Sequence, residues 1–559
     1  MKDLKLTGTD DPDSMVEKLA QQIETPADSG SLIRVVHKAV IQLRGDGYLL
    51  ANVEAIEYYP EGLLAIQIFV GPSYEWARLS LDGLPEELRN RLKNKPAHFT
   101  KKGYNKAEIR QLLTEIITYS ENHGYPFASV QLDSVRVNDK GISATVIYDP
   151  GPFITFDSLN IMGNLNIKKR FLGAYLKILP GKPFDQRLID HIPEKLERLH
   201  YLKMNEMPVI RFQNVECSID LFLNPEKSNQ FDAVIGFLPN EKEGGKVLIT
   251  GKADILLHQL FRSGKSFEFH WDKTQVATQS VLISYTHPNL FTSPVGLLAD
   301  FYLYKQDTTF INRKARLGFD LLTPGTGTFS FFSKWESSRL IGALPFDNTI
   351  FLFDLADFNI NYIGLRFTDL PAALQRPPFT HWNVDIQAAF GRKTILKNAG
   401  FDDSVYEGVD FETIQFTTEA AVSGLLQFKN AYFLYSKISG GLMINERLFL
   451  NDLYRLGGLN SIRGFNENFF YASRYLLGTL EFRMYFNSIS SLFAFYDQSY
   501  VYYNLEDSQF NDTPFGIGLG MNIESGNGLF TLVYALGQTQ EQPLDFRLSK
   551  IHFGYISAF

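Results

Sequence analysis

Residues 475–503 read Tyr475-Leu-Leu-Gly-Thr-Leu-Glu-Phe-Arg-Met-Tyr-Phe486, then Asn487-Ser-Ile-Ser490, then Ser491-Leu-Phe-Ala-Phe-Tyr-Asp-Gln-Ser-Tyr-Val-Tyr-Tyr503. Two segments that alternate apolar with polar or small residues flank a four-residue turn, the pattern of a β-hairpin whose faces meet different surroundings. Leu480 and Phe482 flank Glu481, so one face carries the large apolar side chains and the other the carboxylate. Each segment is long enough for a tilted strand to cross a bilayer, which takes about 9–11 residues.

Working outward, the same texture fills the chain from residue 229 to its end. Sixteen segments have it: roughly 230–238, 246–260, 264–273, 279–287, 295–305, 311–322, 326–336, 358–367, 380–391, 411–424, 431–443, 475–486, 491–503, 514–524, 528–537 and 550–559. An even number suits a bacterial barrel, since lipid tolerates no unpaired strand edge. The connections alternate as well. Even-numbered ones are mostly short (262–265, 323–325, 487–490, 525–527), and odd-numbered ones include 337–357, 392–410 and 444–474. Short turns on one side and long loops on the other is the asymmetry of an outer-membrane barrel, with the N-terminal region attached on the short-turn side. A soluble sandwich or propeller has no such asymmetry.

Residues 1–226 read differently, as mixed α/β with an internal repeat. Gly71-Pro-Ser-Tyr-Glu-Trp-Ala-Arg-Leu-Ser-Leu-Asp-Gly-Leu84 and Gly151-Pro-Phe-Ile-Thr-Phe-Asp-Ser-Leu-Asn-Ile-Met-Gly-Asn164 each pair a Gly-Pro turn with an alternating strand. Helical apolar stripes recur at Leu32, Val35, Val36, Ala39, Val40 and Leu43, at Ile109, Leu112, Leu113, Ile116 and Ile117, and more weakly at Leu188, Ile192, Leu196 and Leu199. Each stripe ends at a related corner, Gly47-Tyr48, Gly124-Tyr125 and His200-Tyr201, spaced 77 and 76 residues apart. The expected organisation is three modules, 1–71, 72–151 and 152–226, ahead of a barrel at 229–559. Each module is a small sheet covered on one side by helices, its outer strand free to accept a guest.

Composition narrows the function. The net charge of −8 offers no basic field for nucleic acid. No run approaches the roughly 18 apolar residues of a membrane helix. Cys217 is the only cysteine, so no intramolecular disulfide or Cys-rich metal site can form, and packing is its expected role. The first residues, Met1-Lys-Asp-Leu-Lys-Leu-Thr-Gly, lack the charged and apolar regions of a signal peptide; an exported protein needs one, so the expectation is a mature or trimmed chain. The ten histidines make no metal-binding pair, and there is no nucleophile elbow or phosphate loop. Neither enzyme chemistry nor a cofactor or metal is expected. Gly516-Ile-Gly518-Leu-Gly520 lies in a strand, where three glycines on one face mark a place of close packing inside the barrel.

The longest odd-numbered connection contains Tyr454-Arg-Leu-Gly-Gly-Leu-Asn-Ser-Ile-Arg-Gly-Phe465. Here the chain resembles the BamA/TamA-type outer-membrane protein assembly factor family, also called the bacterial surface antigen family. The resemblance rests on Ile462-Arg463-Gly464-Phe465 preceded by Gly457-Gly458, on Leu480-Glu481-Phe482, on Phe493-Ala-Phe-Tyr-Asp497, and on a last strand closing on Phe559. Ser499 stands where the family more often has glycine. It implies a fold of α+β POTRA-like periplasmic modules followed by a 16-stranded antiparallel transmembrane β-barrel, in the bacterial outer membrane with the modules in the periplasm. It also implies that the loop folds back into the lumen, where Arg463 needs compensating carboxylates; Glu481 and Asp497 are the candidates, with Gly464, Gly457 and Gly458 allowing close approach or positive φ.

Three functions are open at this stage. An assembly or insertion factor would bind unfolded outer-membrane or secreted polypeptides by strand addition and open a weak seam between the first and last strands, near Ile235, Gly236, Gly554 and Phe559. Outer-membrane lipids and periplasmic or lipoprotein accessory subunits would be its other partners. A dedicated two-partner-type secretion pore would share the fold and the loop, but such proteins usually have two modules and a plugging helix. A passive porin has no use for the N-terminal third.

Overall fold

The computed structural model describes residues 3–7, 29–58, 64–92, 103–138, 141–199, 201–240, 246–273, 278–323, 327–341, 354–369, 382–398, 406–487, 489–506, 508–525 and 528–558. They form two compact units: Met1–Ser158 with Leu179–Asp190 and Ile210–Ser218, and Leu159–Ile178 with His191–Val209 and Ile219–Phe559.

Among the described residues three small sheets precede the barrel. In the first, Leu64–Phe69 lies between a parallel partner, Asp3–Thr7, and an antiparallel one, Asn52–Tyr58. Helix Ser29–Gly45 buries Val36, Ala39, Val40 and Leu43 against it. The second repeats the plan: Gly141–Asp149 is central, parallel to Trp76–Ser80 and antiparallel to Ser129–Asn138. Helix Lys106–Glu121 buries Ile109, Leu112 and Ile116 over it. Asn105 caps this helix by accepting from the amides of Ala107 and Glu108. The two corners are built alike. Gly47 and Gly124 have φ of 106° and 96°, and the amides of Tyr48 and Tyr125 bond back to the carbonyls of Leu43 and Ser120.

The third sheet is four-stranded. Its expected single helix is two short ones, Gln186–Asp190 and Ile192–Glu197, divided near Pro193. A further helix, Lys169–Leu176, shows no stripe because every residue from Phe171 to Leu176 is buried. It meets the turn between the second and third barrel strands. The Lys168 amide donates to the Arg262 carbonyl at 2.9 Å, Gln259 Nε2 donates to the Asn166 carbonyl at 3.1 Å, and a Cβ on Gly264 would strike the Phe171 ring.

From Gln230 to Ala558 the strands form a closed antiparallel barrel. Among the described residues seventeen strand segments are distinct, but Gln509–Asp512 and Phe515–Ser525 pair in succession along the same edge of Ser491–Asn504. They are one strand interrupted at Thr513-Pro514, where proline has no amide to donate, so sixteen strands encircle the lumen. Alternation is sharpest in Ser491–Asn504: Phe493, Phe495, Asp497 and Val501 are buried while Leu492, Tyr496 and Tyr500 are exposed. Around the wall Leu317, Phe319, Phe331, Ile363, Leu365, Leu480 and Phe482 form an exposed apolar band, a surface that only lipid satisfies. No helix among the described residues is long and apolar enough to cross a membrane. Several strands run beyond the expected segments on the long-loop side, as in Gly327–Leu340 and Trp382–Leu396, because hydrogen-bonded pairing continues past the apolar stretch.

Candidate functional site: a loop held in the barrel lumen

Loop 444–474 lies folded inside the barrel. Its middle is a small hairpin, Tyr454–Leu456 paired with Phe470–Ala472, and the Ile462–Phe465 tetrad sits at its tip. Arg463 Nη1 donates to Glu481 Oε1 at 2.6 Å. Its Nη2 and Nε reach Asp497 Oδ1 and Oδ2 at 2.6 and 2.7 Å, a bidentate fork. The backbone amide of Arg463 adds a third bond to Asp497, at 3.3 Å. The guanidinium also lies 3.6 Å over the Phe495 ring. Arg463, Glu481 and Asp497 are 6%, 5% and 2% exposed, so these are desolvated charges that need one another.

Glu481 and Asp497 come from adjacent strands, Arg474–Tyr485 and Ser491–Asn504. Thr479 faces Asp497 and Glu481 faces Phe495 in the ladder, and the period-two alternation of both strands turns the acids inward. A second cation was not anticipated. Arg483, two residues along from Glu481, donates to Glu481 Oε2 from Nε at 2.7 Å and lies over the Tyr435 ring. The cluster therefore balances two guanidiniums against two carboxylates. Inward alternation alone would have placed Arg483 beside Glu481.

The glycines make room for this. Gly457, Gly458 and Gly464 have φ of 117°, 93° and 93°, a region that L side chains avoid. A Cβ on Gly464 would lie 2.6 Å from the Gly537 nitrogen. Across the interface a Cβ on Gly516 would collide with the Arg463 carbonyl, and one on Gly518 would approach the Phe495 ring to 2.7 Å. Gly516 and, on the next strand, Gly537 form the slot in which the tetrad lies, while Gly518 and Gly520 make room for the Phe495 and Phe493 rings of the neighbouring strand. Ile462 and Phe465 pack beside it with Leu456, Phe470, Leu477 and Val501.

The architecture of the whole chain has counterparts among solved structures. CdiB from Acinetobacter baumannii is 12% identical over 98% of this chain and 99% of its own, with a TM-score of 0.58. CdiB from Escherichia coli is 13% identical over 99% and 100%, with a TM-score of 0.57. The chain shares the fold of these CdiB structures. BamA from Haemophilus ducreyi lacking POTRA domains 1-3 also aligns, at 15% identity over 87% of this chain and all of that one, with a TM-score of 0.45. No family model and no curated protein matches the sequence.

At the seam of the barrel the first strand, Gln230–Asn240, and the last, Lys550–Ala558, share two register pairs among the described residues: Gln230 with Ala558 and Phe231 with Ser557. The first strand pairs with the second over eleven. Ile235 and Gly236 pair only towards the second strand, opposite Gly251 and Thr250. Gly554 pairs with Thr531, and a Cβ there would meet nothing nearer than 3.9 Å. Close packing does not require that glycine. Phe559 lies outside the described residues.

Proposed function

We propose that this chain assembles or inserts outer-membrane polypeptides, offering the weakly paired edge of its first strand to an incoming strand while the N-terminal modules deliver the client. The observation that carries the reading is the seam, where two pairs stand next to a neighbour with eleven. An open antiparallel edge templates a further strand through main-chain bonds, which need no client sequence. The chain lies in the outer membrane with its modules in the periplasm. The exposed apolar band supports the membrane, and the alternation of short and long connections supports the orientation. Lipids next to the seam and accessory subunits on the modules are further partners in this reading.

The similar solved structures fit both assembly and a two-partner-type secretion pore. Three small sheets ahead of the barrel, rather than two, favour assembly; the lumenal loop is common to both readings, and its buried ion pairs would have to yield to a chain translocated through the lumen. Proteoliposomes carrying the full chain test the two readings: they should fold an unfolded outer-membrane barrel at least about tenfold faster than protein-free vesicles. No acceleration, together with release of a secreted polypeptide across the vesicle wall, would favour the pore.

Client capture is expected on strand edges. Ser129–Asn138 is an edge strand of the second sheet, with Val135 and Val137 exposed. Proline within it should reduce binding of an extended client peptide more than charge reversal at Arg110 or Glu115 on helix Lys106–Glu121, since proline removes a donor from the edge. Peptide titration of the full chain distinguishes the two, and a larger loss from the helix changes would exclude strand addition.

A further inference from the structure

We propose that loop 444–474 has a second ionic anchor, Lys393 with Asp452, which keeps the first part of the loop seated even when the Arg463 cluster is lost. Lys393 stands on the ninth barrel strand, Trp382–Leu396, at an inward position. Its ammonium pairs with Asp452 of the loop, and both side chains are fully buried. It also donates to the Arg447 carbonyl at 3.1 Å and lies between the Phe358 and Phe449 rings, 4.9 and 4.5 Å from their centroids. The Phe449 amide donates to the same Asp452 oxygen at 2.9 Å. A buried ammonium without a carboxylate is far costlier than no ion at all, so Lys393 ties the ninth strand to a docked loop.

Neighbouring contacts hold the same segment. Asn451 Nδ2 donates to Ser338 Oγ and to the Ala356 carbonyl, each at 2.7 Å, and its carbonyl accepts from Asn312 Nδ2 at 2.8 Å. Phe449 completes an apolar cluster with Phe332, Phe358, Ile360 and Tyr362. The walls used by Phe449, Asn451 and Asp452 are strands six to nine, and Arg447 of the same segment also pairs with Glu506 just beyond strand thirteen. The Arg463 tetrad instead uses strands twelve to fifteen, through Glu481, Asp497, Gly516 and Gly537. The two sets share no residue, and in a closed ring of sixteen strands they lie on well-separated arcs. The loop is thus a strut across the lumen with independent footings.

Chymotrypsin digestion of the full chain in lipid vesicles tests this, with cleavage after Phe449 and after Phe465 followed separately by mass spectrometry and barrel folding checked by heat-modifiable mobility. Arg463→Ala should raise cleavage after Phe465 and leave cleavage after Phe449 within about twofold of native, because contacts without shared partners respond independently. Lys393→Met should raise cleavage after Phe449 roughly 100-fold, as expected when one side of a buried pair is removed and proteolysis follows the open population. Lys393→Met with Asp452→Leu should recover most of the protection, since no unpaired ion remains. Should Lys393→Met fail to fold, Asp452→Asn strands the same ammonium from the loop side and should expose Phe449 likewise. The proposal is overturned if Phe449 and Phe465 become cleavable together in Arg463→Ala, or if neither change at the Lys393–Asp452 pair exposes Phe449.

Discussion

Arg463→Ala should free the loop tip from the glycine slot, exposing Phe465 to protease on the order of 100-fold faster while the barrel stays folded. Removing one member of a buried ion pair typically costs about 3–5 kcal/mol. The lower end applies here, because Glu481 keeps Arg483 as a partner and only Asp497 is left without a cation. Arg463→Lys should recover part of the loss, as an ammonium cannot span both oxygens of Asp497 while also reaching Glu481. Glu481→Gln with Asp497→Asn should release the tip too, and adding Arg463→Ala should then have a less than additive effect. Digestion kinetics at Phe465 measure all four, and unchanged protection in Arg463→Ala would remove the ion cluster as the anchor of the tip.

Gly516→Val should release the tip without touching any charge. The new side chain begins where the Arg463 carbonyl lies, and neither side can yield easily, because one is a barrel ladder and the other a loop pinned by Asp497. Overpacking of this kind costs about 1–3 kcal/mol for small insertions, and a β-branched residue against backbone belongs at the upper end. Gly478→Ala is the matched control: a Cβ there meets only the Gln498 carbonyl, at 3.9 Å, so stability should stay within about 0.5 kcal/mol of native. Thermal melts and Phe465 cleavage of the two variants separate steric fit from the general effect of removing a strand glycine. Equal behaviour would mean that the slot is not specific.

The strands were legible because lipid outside and a polar lumen inside impose a strict period of two, which Leu480-Glu481-Phe482 and the run 491–503 display directly. The same period points Glu481, Arg483, Asp497 and Lys393 inward. Gly516, Gly518 and Gly520 announced a close approach, and the structure supplies the objects: the Arg463 backbone at Gly516, and the Phe495 and Phe493 rings at Gly518 and Gly520. What meets an inward residue was harder to read. Asp452 is 59 residues beyond Lys393 in a loop without periodicity, and nothing local to Asn451-Asp452 signals burial. Helix Lys169–Leu176 escaped for the opposite reason, every residue from Phe171 onward being buried. The break at Thr513-Pro514 was signalled by its proline, but pairing of both halves with one neighbour is a tertiary fact.

The central claim, that clients enter through the seam, is tested most directly by locking it. Phe231 and Ser557 are register partners there, so Phe231→Cys with Ser557→Cys places two thiols across the seam. Cys217 will not compete, since it is fully buried and burial pushes its thiol up to about 11. A matched lock inside the well-paired part of the wall, Ala233→Cys with Ala253→Cys, controls for cross-linking itself. In proteoliposomes the locked seam should slow client folding to the protein-free rate, recover on reduction, and differ from the control lock, which should leave the rate unchanged. Undiminished client folding with the seam quantitatively cross-linked would contradict the account.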